Sequence, residues 1–166
     1  MSDLIAIGYP DEQTAELAAD EARRLAKDLI IEPDAIASIV REALRENYPT
    51  SLYLDIHRWW REGFLVADLE GHPVGFLASV LSADGQARIL MFAVSTGFRR
   101  RGIGRQMMNS FLQACAMRGL RRIELEVRIS NEEAIRFYKH YGFELAGVLP
   151  KFYTDGEDGY KMMKHL

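Results

Sequence analysis

The sequence predicts one domain of the mixed α/β (α+β) class, and three observations carry that expectation. The chain has 166 residues, inside the ~100–200 range of a single domain. Apolar runs of strand length, punctuated by Gly, Pro and Asp, alternate with segments of helical period. From residue 64 onward the order reads strand, strand, strand, helix, strand, helix, strand, strand, which indicates a mixed sheet with helices against it.

Each element has a local reason. Leu4 to Gly8 is a short apolar run and reads as a strand. Asp11 to Lys27 is rich in Ala, Glu and Arg, with Ala15, Ala18, Ala22, Leu25 and Ala26 near helical spacing. Pro33 to Glu46 is a second helix: Pro33 suits a first turn, and Ile36, Ile39, Val40 and Leu44 form a stripe. Leu52 to Trp60 is a short third helix. Phe64 to Leu69 and Val74 to Leu81 flank the turn Glu70-Gly71-His72-Pro73 and form a hairpin. Arg88 to Val94 is a buried strand, and Gly102 to Arg118 is a helix with Ile103, Met107, Phe111, Leu112 and Cys115 on one face. Arg122 to Arg128 alternates with period two, so Ile123, Leu125 and Val127 oppose Glu124 and Glu126. Ser130 to Tyr141 is a helix opened by a capping box, Ser130-x-x-Glu133. Phe143 to Leu149 and Tyr160 to Met163 complete the sheet.

Composition excludes several classes of function. Hydrophobic residues make up 48% and charged residues 27%, a globular balance. The net charge is −3, whereas a nucleic-acid-binding domain is usually basic, so no nucleic-acid partner is expected. The lone Cys115 forms no internal disulfide and lies in an apolar stripe, where core packing is expected. His57, His72, His140 and His165 lack metal-ligand spacing, so no metal is expected. The longest apolar stretch, Val74 to Leu81, is far short of the ~20 residues that span a bilayer, and no basic-then-apolar leader opens the chain. The expectation is a cytoplasmic protein without a membrane partner, as a monomer or homodimer.

Charge is placed unevenly. Residues 1–50 hold eleven acids and five bases, while residues 88–122 hold eight arginines and no acid. Such a cluster is either a solvated face or an anion trap. The segment Phe92 to Gly104 favours the trap. A buried strand ends, a basic loop follows (Arg99, Arg100, Arg101), and Gly102 and Gly104 open a helix whose first N–H groups are unpaired and whose dipole is positive there. That is a phosphate site supplemented by arginines. A dinucleotide fingerprint requires a small residue where Met107 stands, and no Gly-Lys-Ser/Thr follows for a nucleotide-triphosphate loop.

These residues resemble the GCN5-related N-acetyltransferases. Arg99-x-x-Gly102-x-Gly104 is similar to that family's acyl-coenzyme A signature, and Ser130-Asn131-Glu132-Glu133-Ala134-Ile135-Arg136-Phe137-Tyr138-Lys139-His140-Tyr141-Gly142-Phe143 to its second block. Within the family, Glu46-Asn47-Tyr48-Pro49, Leu125-Glu126-Val127-Arg128 and Lys151 to Tyr160 resemble the ribosomal-protein-alanine and archaeal protein N-terminal acetyltransferases. The resemblance covers roughly residues 42–166, which leaves residues 1–41 as a strand–helix extension of uncertain origin packed into the same domain. It implies a mostly antiparallel sheet flanked by helices on both faces, and acetyl-CoA as co-substrate. The acetyl group passes by direct transfer to a primary amine, with a protein or peptide N-terminus as best acceptor. A small-molecule amine, or a non-catalytic acyl-CoA-binding module, is the alternative.

The resemblance also implies roles for residues. Phe92, Ala93 and Val94 would bind the cofactor, their backbone N–H groups holding the developing oxyanion where the family's strand splays from its neighbour. Arg99, Arg100, Arg101, Gly102, Ile103, Gly104, Arg105, Asn131 and Tyr138 would bind the cofactor. Glu46, Tyr48 and Tyr153 would grip the acceptor. Acyl transfer to an amine has its own chemical requirements. The amine attacks a thioester as the neutral species, and a peptide α-amine, with a pKa of ~7.7–8.0, needs only a modest base. Glu126 is the candidate base, although Glu124 shares its face and a surface ion pair with Arg128 or Arg121 would also explain Glu126. The leaving thiolate needs a proton, and the phenol of Tyr138 can donate one, although its helical position also suits core packing.

Overall fold

The computed structural model describes residues 33–44, 48–70, 72–82 and 85–166. The expected strand at Leu4 to Gly8, the expected helix at Asp11 to Lys27, and Glu46 lie outside the described residues. The first two helices are α1 (Pro33–Leu44) and α2 (Thr50–Trp59). Then come β1 (Phe64–Leu69), β2 (His72–Ser82), β3 (Gln86–Val94), α3 (Ile103–Met117), β4 (Arg122–Arg128), α4 (Glu132–His140), β5 (Glu144–Leu149) and β6 (Gly159–His165).

The six described strands form one sheet in the order β1-β2-β3-β4-β6-β5. Every neighbouring pair is antiparallel except β3 and β4. Parallel neighbours need a crossover, and α3 supplies it. The period-two pattern of β2 then builds a core on each face, because successive side chains point opposite ways. Leu77 faces α3, with Met108, Phe111, Cys115, Ile123, Leu125 and Phe143. Phe76 and Ala78 face the other way, against Ile36, Ile39 and Val40 of α1 and Tyr53 and Ile56 of α2. Full burial of each such large apolar side chain contributes ~1.5–3 kcal/mol, so helices too short to be stable alone are held by the sheet.

The tryptophan pair divides. Trp60 is 2% exposed and belongs to the α3-side core, whereas Trp59 is 56% exposed. The turn between α2 and β1 closes tightly here: a Cβ on Gly63 would collide with the Trp60 ring. The buried Ser79 hydroxyl donates to the Gly63 carbonyl at 2.6 Å.

One irregularity shapes the middle of the sheet. Ala78 pairs with Met91 and Ser79 with Ile89, so Leu90 is an extra residue on β3, a β-bulge. The bulge reverses the facing of β3 partway along its length. Ala87 and Ile89, before it, belong to the α3-side core; Met91 and Ala93, after it, belong to the opposite one. Bulges also bend a strand and increase its twist. Accordingly β3 pairs with β4 only over Gln86 to Ile89, opposite Arg122 to Leu125. Beyond that point β3 runs on to Val94 and β4 to Arg128 without bonding each other. A wedge-shaped gap opens between two central strands.

Candidate active site

The glycine-arginine turn lies at the open end of β3. The Ser95 N–H donates to the Val74 carbonyl at 2.9 Å and ends the pairing with β2. A single 3-10 turn over Thr96–Phe98 follows. Arg99 does not simply project into solvent: its Nε donates to the Val94 carbonyl at 2.9 Å and braces the strand end. The Arg101 guanidinium sits 5.3 Å from the centre of the Phe98 ring. Arg99, Arg100, Arg101 and Arg105 are all exposed.

Gly102 is the N-cap of α3, with φ of 85°, and no side chain caps the helix. Only glycine adopts that left-handed conformation without penalty. A Cβ there would meet nothing within 4 Å, so the backbone stands open to a ligand. Among the described residues, the first backbone donor of this helix to find a partner in the chain is Gln106, which bonds the Gly102 carbonyl. The N–H groups before it, including those of Gly102, Ile103, Gly104 and Arg105, form a positive cradle. These features fit the pyrophosphate of a coenzyme A molecule.

Helix α4 starts otherwise than its sequence suggests. The Ser130 N–H, which a capping box would give to Glu133, donates to Glu157 Oε1 at 3.1 Å, and the Ser130 hydroxyl donates to the same oxygen at 2.5 Å, so the expected capping box does not form. A carboxylate from the β5–β6 loop thus takes the place of Glu133 as the acceptor. Asn131 is the N-cap instead, accepting from the Ala134 N–H at 3.1 Å.

The gap itself gathers side chains from both faces. Tyr138 of α4 is buried on the α3 side, its ring against Phe137 and Phe143 at 5.6 Å each. Burial, and then the nearby Tyr153, push its phenol pKa well above the ordinary tyrosine range. Phe137 in turn packs edge-on against Phe92 of β3 at 5.7 Å. Glu126 projects from the other face of β4, opposite Ile123, Leu125 and Val127, which are buried with α3. Its Oε2 accepts from Arg88 Nε at 3.1 Å. The sequence offered Arg121 or Arg128 for that ion pair; the structure gives it to Arg88.

Glu124 is tied differently, to Arg122 at 3.2 Å and Lys161 at 2.8 Å. It also lies in the closed part of the β3–β4 pair, opposite Arg88, whereas Glu126 lies beyond the last pair. Tyr153, half-buried in the loop between β5 and β6, reaches the same mouth. Burial raises its pKa, Arg128 opposes that, and Glu126, Glu157 and Tyr48 add to the rise. Tyr48 packs at the edge of the α1–α2 core. Tyr153 thus lies within electrostatic reach of Tyr48, Glu126 and Tyr138.

Arg128 holds that loop in place, a role the sequence did not announce. Its Nη1 donates to Asp155 and Glu157, at 2.8 Å to each, and its guanidinium lies 4.0 Å from the centre of the Tyr153 ring. Cys115 plays no chemical part: it is fully buried, and burial pushes its thiol up to about 12. Among the described residues no cluster of three or more His, Cys, Asp or Glu could hold a metal ion, and no helix is long and apolar enough to cross a membrane.

A mostly antiparallel sheet, opened at its one parallel pair and bearing a glycine-arginine turn at the opening, defines an acyl-CoA-dependent transferase. Residues 34–143 match the model of the acetyltransferase (GNAT) family, and the chain belongs to that family; it is an acetyl-CoA-dependent acetyltransferase. It is 34% identical over 145 residues to an N-alpha-acetyltransferase of Sulfolobus acidocaldarius, covering 80% of this chain and 86% of that one. The crystal structure of Ard1 from Thermoplasma volcanium superposes with a TM-score of 0.77 at 40% identity, covering 82% of this chain and 94% of that one. Arabidopsis thaliana Naa50, solved in complex with the bisubstrate analogue CoA-Ac-MVNAL, superposes with a TM-score of 0.71 at 26% identity, covering 79% and 90%.

Proposed function

We propose that this enzyme acetylates the N-terminal α-amine of proteins or peptides, by direct transfer in a ternary complex. The observation that carries the reading is the gap between β3 and β4, which joins two different faces of the sheet. On one side lie the α3 turn and Tyr138; on the other lie Glu126, Tyr48 and Tyr153. An acyl donor and an extended peptide terminus can thus meet from opposite sides. The names of the relatives, N-alpha-acetyltransferase and the peptide-bearing analogue on Naa50, support the same acceptor.

Acetyl-CoA supplies the activated acyl group as its thioester. Residues of the turn from Arg99 to Arg105 would hold its phosphates through backbone N–H groups and guanidinium charge, and Asn131, the N-cap of α4, would add a contact to the cofactor. Between Met91 and Val94, N–H groups that do not bond β2 face the gap and steady the carbonyl oxygen as it gains charge. Glu126 accepts the proton of the attacking amine, directly or through one water. An α-amine suits so mild a base, since roughly one in ten is already neutral at pH 7, against roughly one in 2,500 lysines. Tyr138 returns a proton to the departing sulfur, and its raised pKa keeps that proton available. The same reading places the reaction in the cytoplasm, in keeping with a lone unpaired cysteine.

The test is a panel of acceptors with acetyl-CoA and purified protein. Peptides with different first residues, N-terminally blocked peptides containing lysine, polyamines and free amino acids are followed by thiol release. Mass spectrometry then locates the acetyl group. Turnover of free peptide termini above all other amines is expected. Turnover confined to small amines, or binding of acetyl-CoA without turnover of any amine, would overturn the proposal.

A further inference from the structure

The ion pairs around β4 are distributed unequally. Glu124 takes two cations, Arg122 and Lys161. Arg128 turns outward to Asp155 and Glu157. Lys161 stands opposite Glu126 in register, yet its ammonium goes to Glu124 at 2.8 Å. Glu126, with its side chain 11% exposed, is held by Arg88.

The geometry of that contact is unusual. Arg88 stands opposite Glu124 in the strand register, but its guanidinium reaches past that residue to Glu126. β3 and β4 share their last register pair at Ile89 and Leu125, so the Arg88–Glu126 bond spans the apex of the gap. The contact uses Nε and Oε2, so it does not engage Glu126 Oε1.

We propose that Arg88 is a positioning residue for acetyl transfer, fixing the Glu126 carboxylate at the apex of the gap. The inference rests on the reading of Glu126 as the base. Without Arg88 the carboxylate is free to swing toward Lys161, its neighbour on β6, and leave the gap. A reacting group displaced by about 1 Å can cost two orders of magnitude in rate. Lysine at position 88 would keep a cation and a donor, although not the planar fork of arginine.

A double-mutant cycle tests this, with Arg88→Met, Arg88→Lys, Glu126→Gln and the combination Arg88→Met/Glu126→Gln. Steady-state kinetics use the best peptide acceptor and acetyl-CoA, and thermal denaturation accompanies each variant. Arg88→Met should lower kcat about tenfold or more while the acetyl-CoA KM stays near the parent value. Arg88→Lys should recover most of the loss. In the Glu126→Gln background, Arg88→Met should cost little more, because the group it positions is gone. Parental kcat in Arg88→Met would overturn the proposal. So would a full-sized loss on top of Glu126→Gln, or a Lys variant no better than Met. Parental kcat in Glu126→Gln would instead remove Glu126 as the base, and Arg88 with it. If Arg88→Met does not fold, Arg88→Gln takes its place in the same cycle.

Discussion

Replacing Tyr138 by phenylalanine separates its chemistry from its packing. The ring lies against Phe137 and Phe143, at 5.6 Å from each, and those contacts do not involve the hydroxyl. Nor does any hydrogen bond contribute to its raised pKa, which comes from burial and from Tyr153. Removing the oxygen therefore breaks no internal bond, and stability should stay within about 1 kcal/mol of the parent. With Tyr138 as the proposed general acid, the expected catalytic cost is much larger. A positioned general acid is worth roughly 10²–10⁴ in rate, or about 3–5 kcal/mol of transition-state stabilisation. Tyr138→Phe should thus lower kcat by at least a hundredfold. The thermal midpoint and acetyl-CoA affinity should hardly move. Thiol release with a peptide acceptor gives kcat, and a thermal shift series with acetyl-CoA gives affinity. A kcat within threefold of the parent would refute the assignment, and a collapse of the thermal midpoint would show that the hydroxyl serves the core.

Three other perturbations have defined outcomes. Gly102→Val forces a β-branched residue into a left-handed conformation at φ 85°, where its side chain would occupy open space at the cradle, so acetyl-CoA affinity should fall at least tenfold in calorimetry. Arg128→Met should release the β5–β6 loop and raise the peptide KM severalfold, with the acetyl-CoA KM unchanged in the same assay. Tyr53, Tyr138 and Tyr153 all have raised pKa values, Tyr53 at about 12 and chiefly through burial. A raised folded pKa stabilises the fold fully below the unfolded value near ~10, and that stability is lost as pH rises toward the folded value. Chemical denaturation midpoints should accordingly hold up to about pH 10 and fall above it, and a midpoint rising through pH 10–12 would contradict the burial of these phenols.

Much of the architecture was legible in the residues. The period-two pattern of Arg122 to Arg128 matches β4 residue for residue, and Phe64 to Leu69 matches β1. Helix α3 begins one residue after the expected Gly102 and ends at Met117. Both glycines of the turn announced the open end of α3. Other features were illegible for a specific reason. Ser130 and Glu133 have the spacing of a capping box, but spacing carries no knowledge of Glu157, which approaches from a loop folded back across the helix start. Trp59 and Trp60 are alike in composition and opposite in exposure, because the turn at Gly63 buries one of them. Glu124 and Glu126 look equivalent on one strand face, and only the end of the β3–β4 pairing distinguishes them.

What the sequence determined by itself is local: which stretches become helix or strand, which faces are apolar, and where a helix start is left without a side-chain cap. Those properties come from periodicity and from backbone preferences within a few residues. The tertiary structure alone decided the bulge at Leu90, the gap it opens and the pairing of Arg88 with Glu126. Arg88 and Glu126 are 38 positions apart, and their meeting depends on the relative register of two strands joined by a helix. Register is a global minimum over all the pairings and both cores, which no short window of residues encodes.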